Sequence, residues 1–85
     1  MEPTQALLSN IEKLHTTAMG IDRIRKNLGL STADDVVEYC KNKILDKRCA
    51  IYQQGKNWYC EMDGIRITVN SYSYTIITAH KMKDR

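Results

Sequence analysis

Residues 57–70, NWYCEMDGIRITVN, decide the fold, because two segments of alternating apolar and polar residues flank an Asp-Gly pair there. Asp63-Gly64 is a strong signal for a two-residue hairpin turn, and such a turn fixes the register of both strands. In that register one face of the hairpin holds only apolar pairs: Met62 with Ile65, Cys60 with Ile67, and Trp58 with Val69. The stretch therefore predicts an antiparallel hairpin with one side in a hydrophobic core.

The other face of this hairpin is polar. In the same register Glu61 lies opposite Arg66, and Tyr59 lies opposite Thr68. Opposite charges in facing positions of antiparallel strands stabilise the pairing. We therefore expect a cross-strand ion pair on the face that points away from the core.

The segments on both sides of the hairpin also have the composition of strands. CAIYQQ precedes the hairpin and YTIITAHK follows it, and the turn-forming GK and SYS separate them from it. β-Branched and aromatic residues favour strands, and Gly and Ser favour the turns between them. We predict four antiparallel strands, over about 49–54, 57–63, 65–70 and 74–81.

The register of the last strand depends on the length of the loop before it. A three-residue loop at 71–73 would pair Ile67 with Ile77 and Val69 with Thr75. It would also place four side chains on the polar face: Tyr74, Ile76, Thr78 and His80. A two-residue loop would exchange the two faces of the strand. The three-residue loop is favoured because Ile77 and Ala79 suit a core better than Thr78 and His80 do.

The N-terminal half has helical periodicity, with apolar residues three or four positions apart. We predict helices over about 4–15, 18–28 and 32–46. Thr16 or Thr17 can cap the second helix and Gly29 can end it, while Ser31 and Asp34 form an S-x-x-D cap for the third. The sequence thus predicts a single α+β domain, residues 1–85, with three N-terminal helices packed on one face of a four-stranded antiparallel sheet.

The charge of the chain is unevenly placed. Residues 1–40 hold four basic and six acidic residues, whereas residues 41–85 hold nine basic and four acidic residues. The strand-forming half is therefore the cationic half. This asymmetry favours an anionic partner such as RNA or a phosphate-bearing nucleotide.

The composition argues against several classes of protein. The three cysteines have no C-x-x-C spacing, so we expect reduced thiols in a cytoplasmic protein rather than disulfides or a zinc site. No apolar run approaches the roughly 20 residues that span a bilayer, so no membrane association is predicted. H-E-x-x-H and G-x-G-x-x-G are absent from the sequence, and we predict neither a metal nor another cofactor.

The predicted polar face carries the residue types of metal-independent ribonucleases. A base must take the proton of the ribose 2′-hydroxyl, an acid must protonate the leaving oxygen, and cations must stabilise the pentavalent phosphate. The catalytic candidates are His80, Glu61 and Arg66. The candidates for phosphate or base binding are Lys56, Lys81, Tyr59, Tyr72, Tyr74 and Thr68, the tyrosines serving as stacking surfaces. His15 is a secondary candidate because imidazole titrates near neutral pH.

Other interpretations stay open at this point. Thr, Tyr, Arg and Lys are also common on exposed sheet faces that have no catalytic role. The same residues therefore fit a non-enzymatic inhibitor module of phage or mobile-element origin, which would bind a host protein complex or a signalling nucleotide. LGLS at 28–31 is like the turn of a helix-turn-helix, but Asp34 and Asp35 would then face DNA phosphates, which disfavours an antitoxin or transcription factor. An exposed last strand could also pair with a second copy and form a homodimer through the sheet edge.

Four runs between residues 14 and 81 resemble a known family: LHTTAMGIDRIRKNLGL, DDVVEYCKNKI, GKNWY and ITVNSYSYTIITAHK. It is a family of short bacterial proteins, common in Firmicutes, catalogued as domain of unknown function 3781, and the resemblance implies no activity. EMDGIRITVNSYSYTIITAHK also resembles the late strands of the barnase, colicin and RelE group of small ribonuclease toxins, whose sheets carry their catalytic residues. That resemblance, at the level of the fold, implies catalytic or phosphate-binding roles for His80, Lys81, Arg66 and Glu61.

Overall fold

The chain forms its helices first and its sheet second. The computed structural model describes residues 3–82. The helices are α1 (Pro3–Ser9), α2 (Ala18–Leu28) and α3 (Val36–Leu45), with a short 3-10 helix at Ile11–Lys13. The strands are β1 (Ala50–Gln54), β2 (Asn57–Met62), β3 (Ile65–Asn70) and β4 (Ile76–Lys81). They form one antiparallel sheet in the order β1-β2-β3-β4. The predicted α+β class with a four-stranded antiparallel sheet is confirmed.

The turn between β2 and β3 has the predicted geometry. Met62 pairs with Ile65, and the register continues through Glu61 with Arg66 to Trp58 with Val69. Asp63 and Gly64 both have positive φ angles, 53° and 75°. Positive φ at both central positions is what a tight turn between right-twisted strands requires, and Asp and Gly tolerate it.

The loop before β4 is longer than predicted, and this changes the first half of the strand. Asn70 N–H donates to the Thr75 carbonyl at 2.9 Å, so residues 71–74 form a four-residue loop. The Asn70 side-chain oxygen accepts hydrogen bonds from the N–H groups of Tyr72 and Ser73, and Tyr74 turns the chain with φ 60°. Val69 therefore pairs with Ile76, and the predicted pairing of Val69 with Thr75 is wrong.

A β-bulge then moves the register by one more residue. The pairing shifts between Thr68 and Val69, because Ile77 is the extra residue on β4. Ile76 is buried and Ile77 is 42% exposed, which is the reverse of the prediction. Beyond the bulge the two one-residue shifts add up to two residues, which restores the predicted alternation of faces along β4. Ile67 pairs with Ala79 instead of Ile77, and His80 lies opposite Arg66, on the predicted polar side of β4.

Two helices begin or end at other residues than predicted. α1 stops at Ser9 because the Asn10 side chain donates to the Ala6 carbonyl, after which the chain continues as the 3-10 helix. α3 begins at Val36 rather than at residue 32, with Asp35 as its cap: the Asp35 carboxylate accepts the N–H of Glu38 at 3.1 Å. Ser31 and Asp34 instead close a separate turn, in which Ser31 N–H donates to the Asp34 carboxylate at 2.9 Å.

The three helices were predicted to pack together on one face of the sheet, but they contact it at different places. α1 contacts β1, α2 lies against β4, and α3 contacts both β2 and α2. The core joins residues of the helices to the apolar side of the sheet; its fully buried members of large volume are Leu7, Ile24, Ile44, Ile67, Ile76, Val69, Cys40 and Cys60.

The outer edge of β4 is covered along part of its length. The His15 carbonyl accepts the N–H of Ile76 at 2.7 Å, and the Thr16 hydroxyl donates to the Ile76 carbonyl at 2.9 Å. Farther along the strand, the Asn27 side chain donates to the Ala79 carbonyl. An additional strand would compete with these hydrogen bonds, so β1 is the more accessible edge of the sheet.

Candidate functional site on the polar face of the sheet

The polar face of the sheet carries its side chains in rows that run across the strands. In one row Glu61 of β2 lies opposite Arg66 of β3, which lies opposite His80 of β4. We call these three residues the charged row. Neighbouring strands are about 4.8 Å apart, so the backbones of Glu61 and His80 are roughly 10 Å apart with Arg66 between them. The sheet thus brings the three predicted catalytic residues together.

Glu61, at one end of the charged row, is held by two donors. Arg66 Nε donates to Glu61 Oε2 at 3.1 Å, and the Tyr52 hydroxyl donates to the same oxygen at 2.8 Å. The hydrogen bond to Glu61 raises the pKa of Tyr52 above its ordinary value, so the phenol stays protonated as a donor. Arg66 and Glu61 have side chains 38% and 25% exposed, so both remain within reach of a ligand.

His80 completes the charged row. Its Nδ1 lies 3.2 Å from the Lys81 carbonyl oxygen. A carbonyl only accepts, so Nδ1 carries the hydrogen and Nε2 is the unprotonated nitrogen of the neutral ring. Among residues 3–82, Nε2 of His80 has no hydrogen-bond partner, which leaves it available to take or return a proton.

An open pocket of about 480 Å³ lies at this end of the sheet, lined by Arg66, His80, Lys81 and Met82. The chain closes one side of it, since Met82 N–H donates to the Gly64 carbonyl at 2.7 Å. The adjoining turn is tied to α3 by an ion pair of 2.8 Å between Lys43 Nζ and Asp63 Oδ2. The hydrogen bond to Asp63 raises the pKa of Lys43 above its ordinary value. These contacts hold the β2–β3 turn and Met82 in place beside the pocket.

The other predicted binding residues are dispersed. Tyr59 is on the polar face next to the charged row, and Thr68 lies opposite it but is only 7% exposed. Lys81 lines the pocket, although its side chain leaves β4 on the side opposite His80, because Lys81 pairs with the buried Ile65. Lys56 and the exposed Tyr72 are in turns at the other end of the sheet, where Lys56 O accepts from Ser71.

Tyr74 is not on the polar face. Its ring packs on buried Trp58 with centroids 5.3 Å apart, and Lys13 Nζ lies 5.6 Å from its centroid. The four-residue loop is the physical reason, because it moves Tyr74 out of the strand. Tyr74 therefore belongs to the margin of the core.

His15 is also at the far end of the sheet from His80. It forms a bridge with Thr75, before the first residue of β4. Its Nδ1 lies 2.8 Å from the Lys13 carbonyl, and its Nε2 lies 3.2 Å from the Thr75 hydroxyl. Both ring nitrogens are thus engaged in holding the chain against the edge of β4, which gives His15 a structural role.

Sequence reasoning missed Tyr52. The turn at Gly55–Lys56 pairs Tyr52 with Tyr59, and the two rings are stacked with centroids 5.5 Å apart and planes 25° apart. A two-residue loop between Gln54 and Asn57 was the available signal, because it brings position 52 opposite position 59.

Metal-binding clusters and membrane-spanning helices are both absent from residues 3–82. Between residues 3 and 82, histidine, cysteine and acidic side chains form no group of three or more that could hold a metal ion. In the same residues no helix has the length and apolar character needed to cross a bilayer.

Fold and site together define a small α+β domain with a meandering antiparallel sheet, one face of which carries a row of glutamate, arginine and histidine beside an open pocket. Comparison with family models then gives the family: residues 8–80 match the model described as protein of unknown function (DUF3781), and the chain belongs to that family. No curated protein and no solved structure matches the chain. The fold-level resemblance to the ribonuclease toxins therefore stays a prediction.

Proposed function

We propose that the protein binds RNA or a phosphate-bearing nucleotide on the polar face of the sheet and cleaves RNA without a metal. The observation that supports this most directly is the charged row. An acid-base pair, Glu61 and His80, flanks the guanidinium of Arg66 on three adjacent strands. Side chains on neighbouring strands are held more rigidly than side chains on loops, as catalytic positioning requires.

Arg66 is the group best placed to bind the phosphate. Its guanidinium is always charged and has five N–H donors, of which Nε is engaged with Glu61. Arg66 also lines the open pocket beside His80. A phosphodiester in this pocket would accept from the remaining N–H groups of Arg66 and lie within reach of the imidazole.

The proposed reaction needs one base and one acid. The base takes the proton of the ribose 2′-hydroxyl, the 2′-oxygen attacks phosphorus, the bond from phosphorus to the 5′-oxygen breaks, and the acid protonates that oxygen. The products are a 2′,3′-cyclic phosphate and a 5′-hydroxyl. Attacking and leaving oxygens lie on opposite sides of phosphorus, which matches an acid and a base on opposite sides of Arg66. Glu61 and His80 fill these two roles.

The setting fits such a reaction in three respects. The cationic charge of the chain is concentrated in residues 41–85, which include the whole sheet. In this proposal the helices serve as a scaffold on the core side and leave the polar face to the ligand. The protein acts in the cytoplasm, where its three cysteines, all free in this structure, stay reduced.

The test is RNA cleavage in EDTA. We expect wild-type protein to convert a labelled single-stranded RNA into fragments ending in a 2′,3′-cyclic phosphate, and His80→Ala to lower the rate by about 100-fold or more. His15→Ala is the matched control, because it removes the other histidine at the far end of the sheet, and it should keep most of the activity. A strand with deoxyribose at every position should bind without being cut.

Two results would count against the proposal. RNA that stays intact with wild-type protein removes the cleavage step, and equal rates for His80→Ala and wild type place the chemistry elsewhere. Absence of binding to both RNA and nucleotides overturns the proposal entirely. In that case, capture of a stoichiometric protein partner after nuclease treatment would support the inhibitor module instead.

A further inference from the structure

A second row of side chains crosses the polar face next to the charged row. It consists of Tyr52, Tyr59, Thr68 and Thr78, each opposite the next on adjacent strands. Tyr52 is on β1, an edge strand of the sheet, and is 40% exposed. No strand formed by residues 3–82 lies beyond β1. The face of the Tyr52 ring that points away from Tyr59 therefore has no cross-strand neighbour.

The Tyr52 ring is fixed in place before any ligand arrives. Tyr59 stacks against one face of the Tyr52 ring, with the two centroids 5.5 Å apart. The Tyr52 hydroxyl donates to Glu61 Oε2 at 2.8 Å. An aromatic side chain held at both its face and its tip loses little conformational entropy when a ligand stacks on it. Such preorganisation distinguishes Tyr52 from Tyr72, which lies in the loop at 71–74 and is 78% exposed.

We propose that the outer face of Tyr52 is the platform on which an unpaired nucleobase stacks, so that the substrate class of the charged row is single-stranded RNA. This inference rests on the proposed function. Tyr52 is joined to the phosphate-binding group through one carboxylate oxygen, since Arg66 Nε donates to the same Glu61 Oε2 at 3.1 Å. Base platform and phosphate site are thus held in one hydrogen-bonded unit.

The chemistry of the platform determines which ligands it accepts. Every base has a π face, so stacking on Tyr52 tolerates different sequences. A base within a duplex is already stacked on both sides, so duplex RNA gains nothing from the ring. Single-stranded RNA also matches the site in charge, because its negative phosphates complement Arg66 and the cationic half of the chain that forms the sheet. A phosphate without a base would use only part of the site.

If Tyr52 and Tyr59 had a purely structural role, they would stabilise the sheet without contributing to the affinity for a ligand. Cross-strand aromatic pairs stabilise sheets whether or not they bind a ligand. The discriminating measurement is the affinity for a 2′-O-methyl oligoribonucleotide, which cannot be cleaved, followed by fluorescence anisotropy. It is compared with the same strand lacking its bases and with the same strand annealed to its complement. Circular dichroism and thermal melting of each variant check that it is folded.

We expect the base-containing single strand to bind more tightly than the other two ligands, and Tyr52→Ala to remove most of that advantage. One stacked base corresponds to a loss of roughly 5- to 150-fold in affinity. Tyr52→Phe keeps the ring and should retain most of the binding. Tyr72→Ala is the matched control for a tyrosine off the platform; measured with a strand of three nucleotides, too short to reach the loop at 71–74 from the charged row, it should bind like wild type.

Three other outcomes would contradict the platform or the proposed function. If the abasic strand binds as tightly as the base-containing strand, the platform is wrong while the phosphate site stands. If Tyr52→Phe loses as much affinity as Tyr52→Ala, the hydroxyl acts through Glu61 and the ring is not a platform. If wild-type protein binds none of the three ligands, the proposed function itself fails.

Discussion

Cys49 differs from the other two cysteines in its surroundings. Burial raises the pKa of Cys40 to about 12, and the Cys60 thiol, buried in the core, also has a raised pKa because it hydrogen-bonds Cys49. The same hydrogen bond, with Cys60 as the donor, lowers the pKa of Cys49, which is only half-buried. Because the thiolate is the reactive form, Cys49 should be the most reactive of the three thiols.

Labelling with a maleimide at pH 8, followed by mass spectrometry of the peptides, measures this difference. We expect Cys49 to react at least about 10-fold faster than Cys40 and Cys60 in the folded protein, and all three to react at similar rates in denaturant. Cys49→Ser should remove the fast-reacting thiol. Faster labelling of Cys40 or Cys60 in the native state would contradict this expectation and show that the core opens around that thiol.

At the level of elements, the contact between α2 and β4 depends on a glycine. Gly20 is buried in the first turn of α2, and a Cβ there would overlap the Thr16 hydroxyl. That hydroxyl cannot move freely, because it donates to the Ile76 carbonyl at 2.9 Å and covers the edge of β4. Thr17 accepts the Gly20 N–H at 3.0 Å and caps the helix beside it.

Gly20→Ala should therefore lower the free energy of unfolding by about 1–3 kcal/mol, although alanine favours a helix interior over glycine by about 1 kcal/mol. Urea denaturation measures the change. Thr16→Ala removes the obstructing hydroxyl, so Gly20→Ala should cost less in that background than in the wild type. Equal costs in both backgrounds would show that the crowding lies elsewhere.

Some elements of the fold could be predicted from the sequence and others could not. The β2–β3 hairpin was predicted correctly because Asp63-Gly64 admits one turn geometry and the apolar pattern agrees with it. The start of α3 was misplaced because Ser31, Asp34 and Asp35 can all accept a cap hydrogen bond, and only the fold selects Asp35. The loop before β4 and the bulge at Ile77 were missed because the Asn70 side chain closes a longer loop than expected, and because the hydrogen bond from Ile76 N–H to the distant His15 carbonyl is not encoded in the local sequence.

The candidate site was predictable to a similar extent. Glu61 and Arg66 followed from the hairpin. His80 was placed on the correct side although the predicted register was wrong, because two shifts of one residue add up to two residues, which is one full period of the strand. Tyr74 was misplaced since its position depends on the loop rather than on the strand. Residues near a well-determined turn could thus be assigned from sequence, and residues beyond an irregular loop could not.

At the scale of the whole molecule, the cationic candidates are at opposite ends of the sheet. Arg66 lies near the β2–β3 turn, and Lys56 lies in the β1–β2 turn at the other end of β2. A six-residue strand is about 20 Å long. At the roughly 3.4 Å rise per nucleotide of a strand with stacked bases, RNA needs about six nucleotides to reach both ends. Only a longer ligand should therefore contact Lys56.

The salt dependence of binding tests this separation, because each phosphate contact on a single strand contributes about 0.7 to the slope of log affinity against log salt. In a Glu61→Gln background, which avoids leaving an unpaired carboxylate, Arg66→Gln should reduce the slope by about 0.7 with both a three-nucleotide and a ten-nucleotide ligand. Lys56→Gln should reduce it only with the longer one. Lys26→Gln, which removes an exposed lysine of α2, is the control and should change neither slope. If Lys56→Gln changes the slope with three nucleotides while Arg66→Gln does not, the RNA binds at the other end of the sheet and the charged row is not its phosphate site.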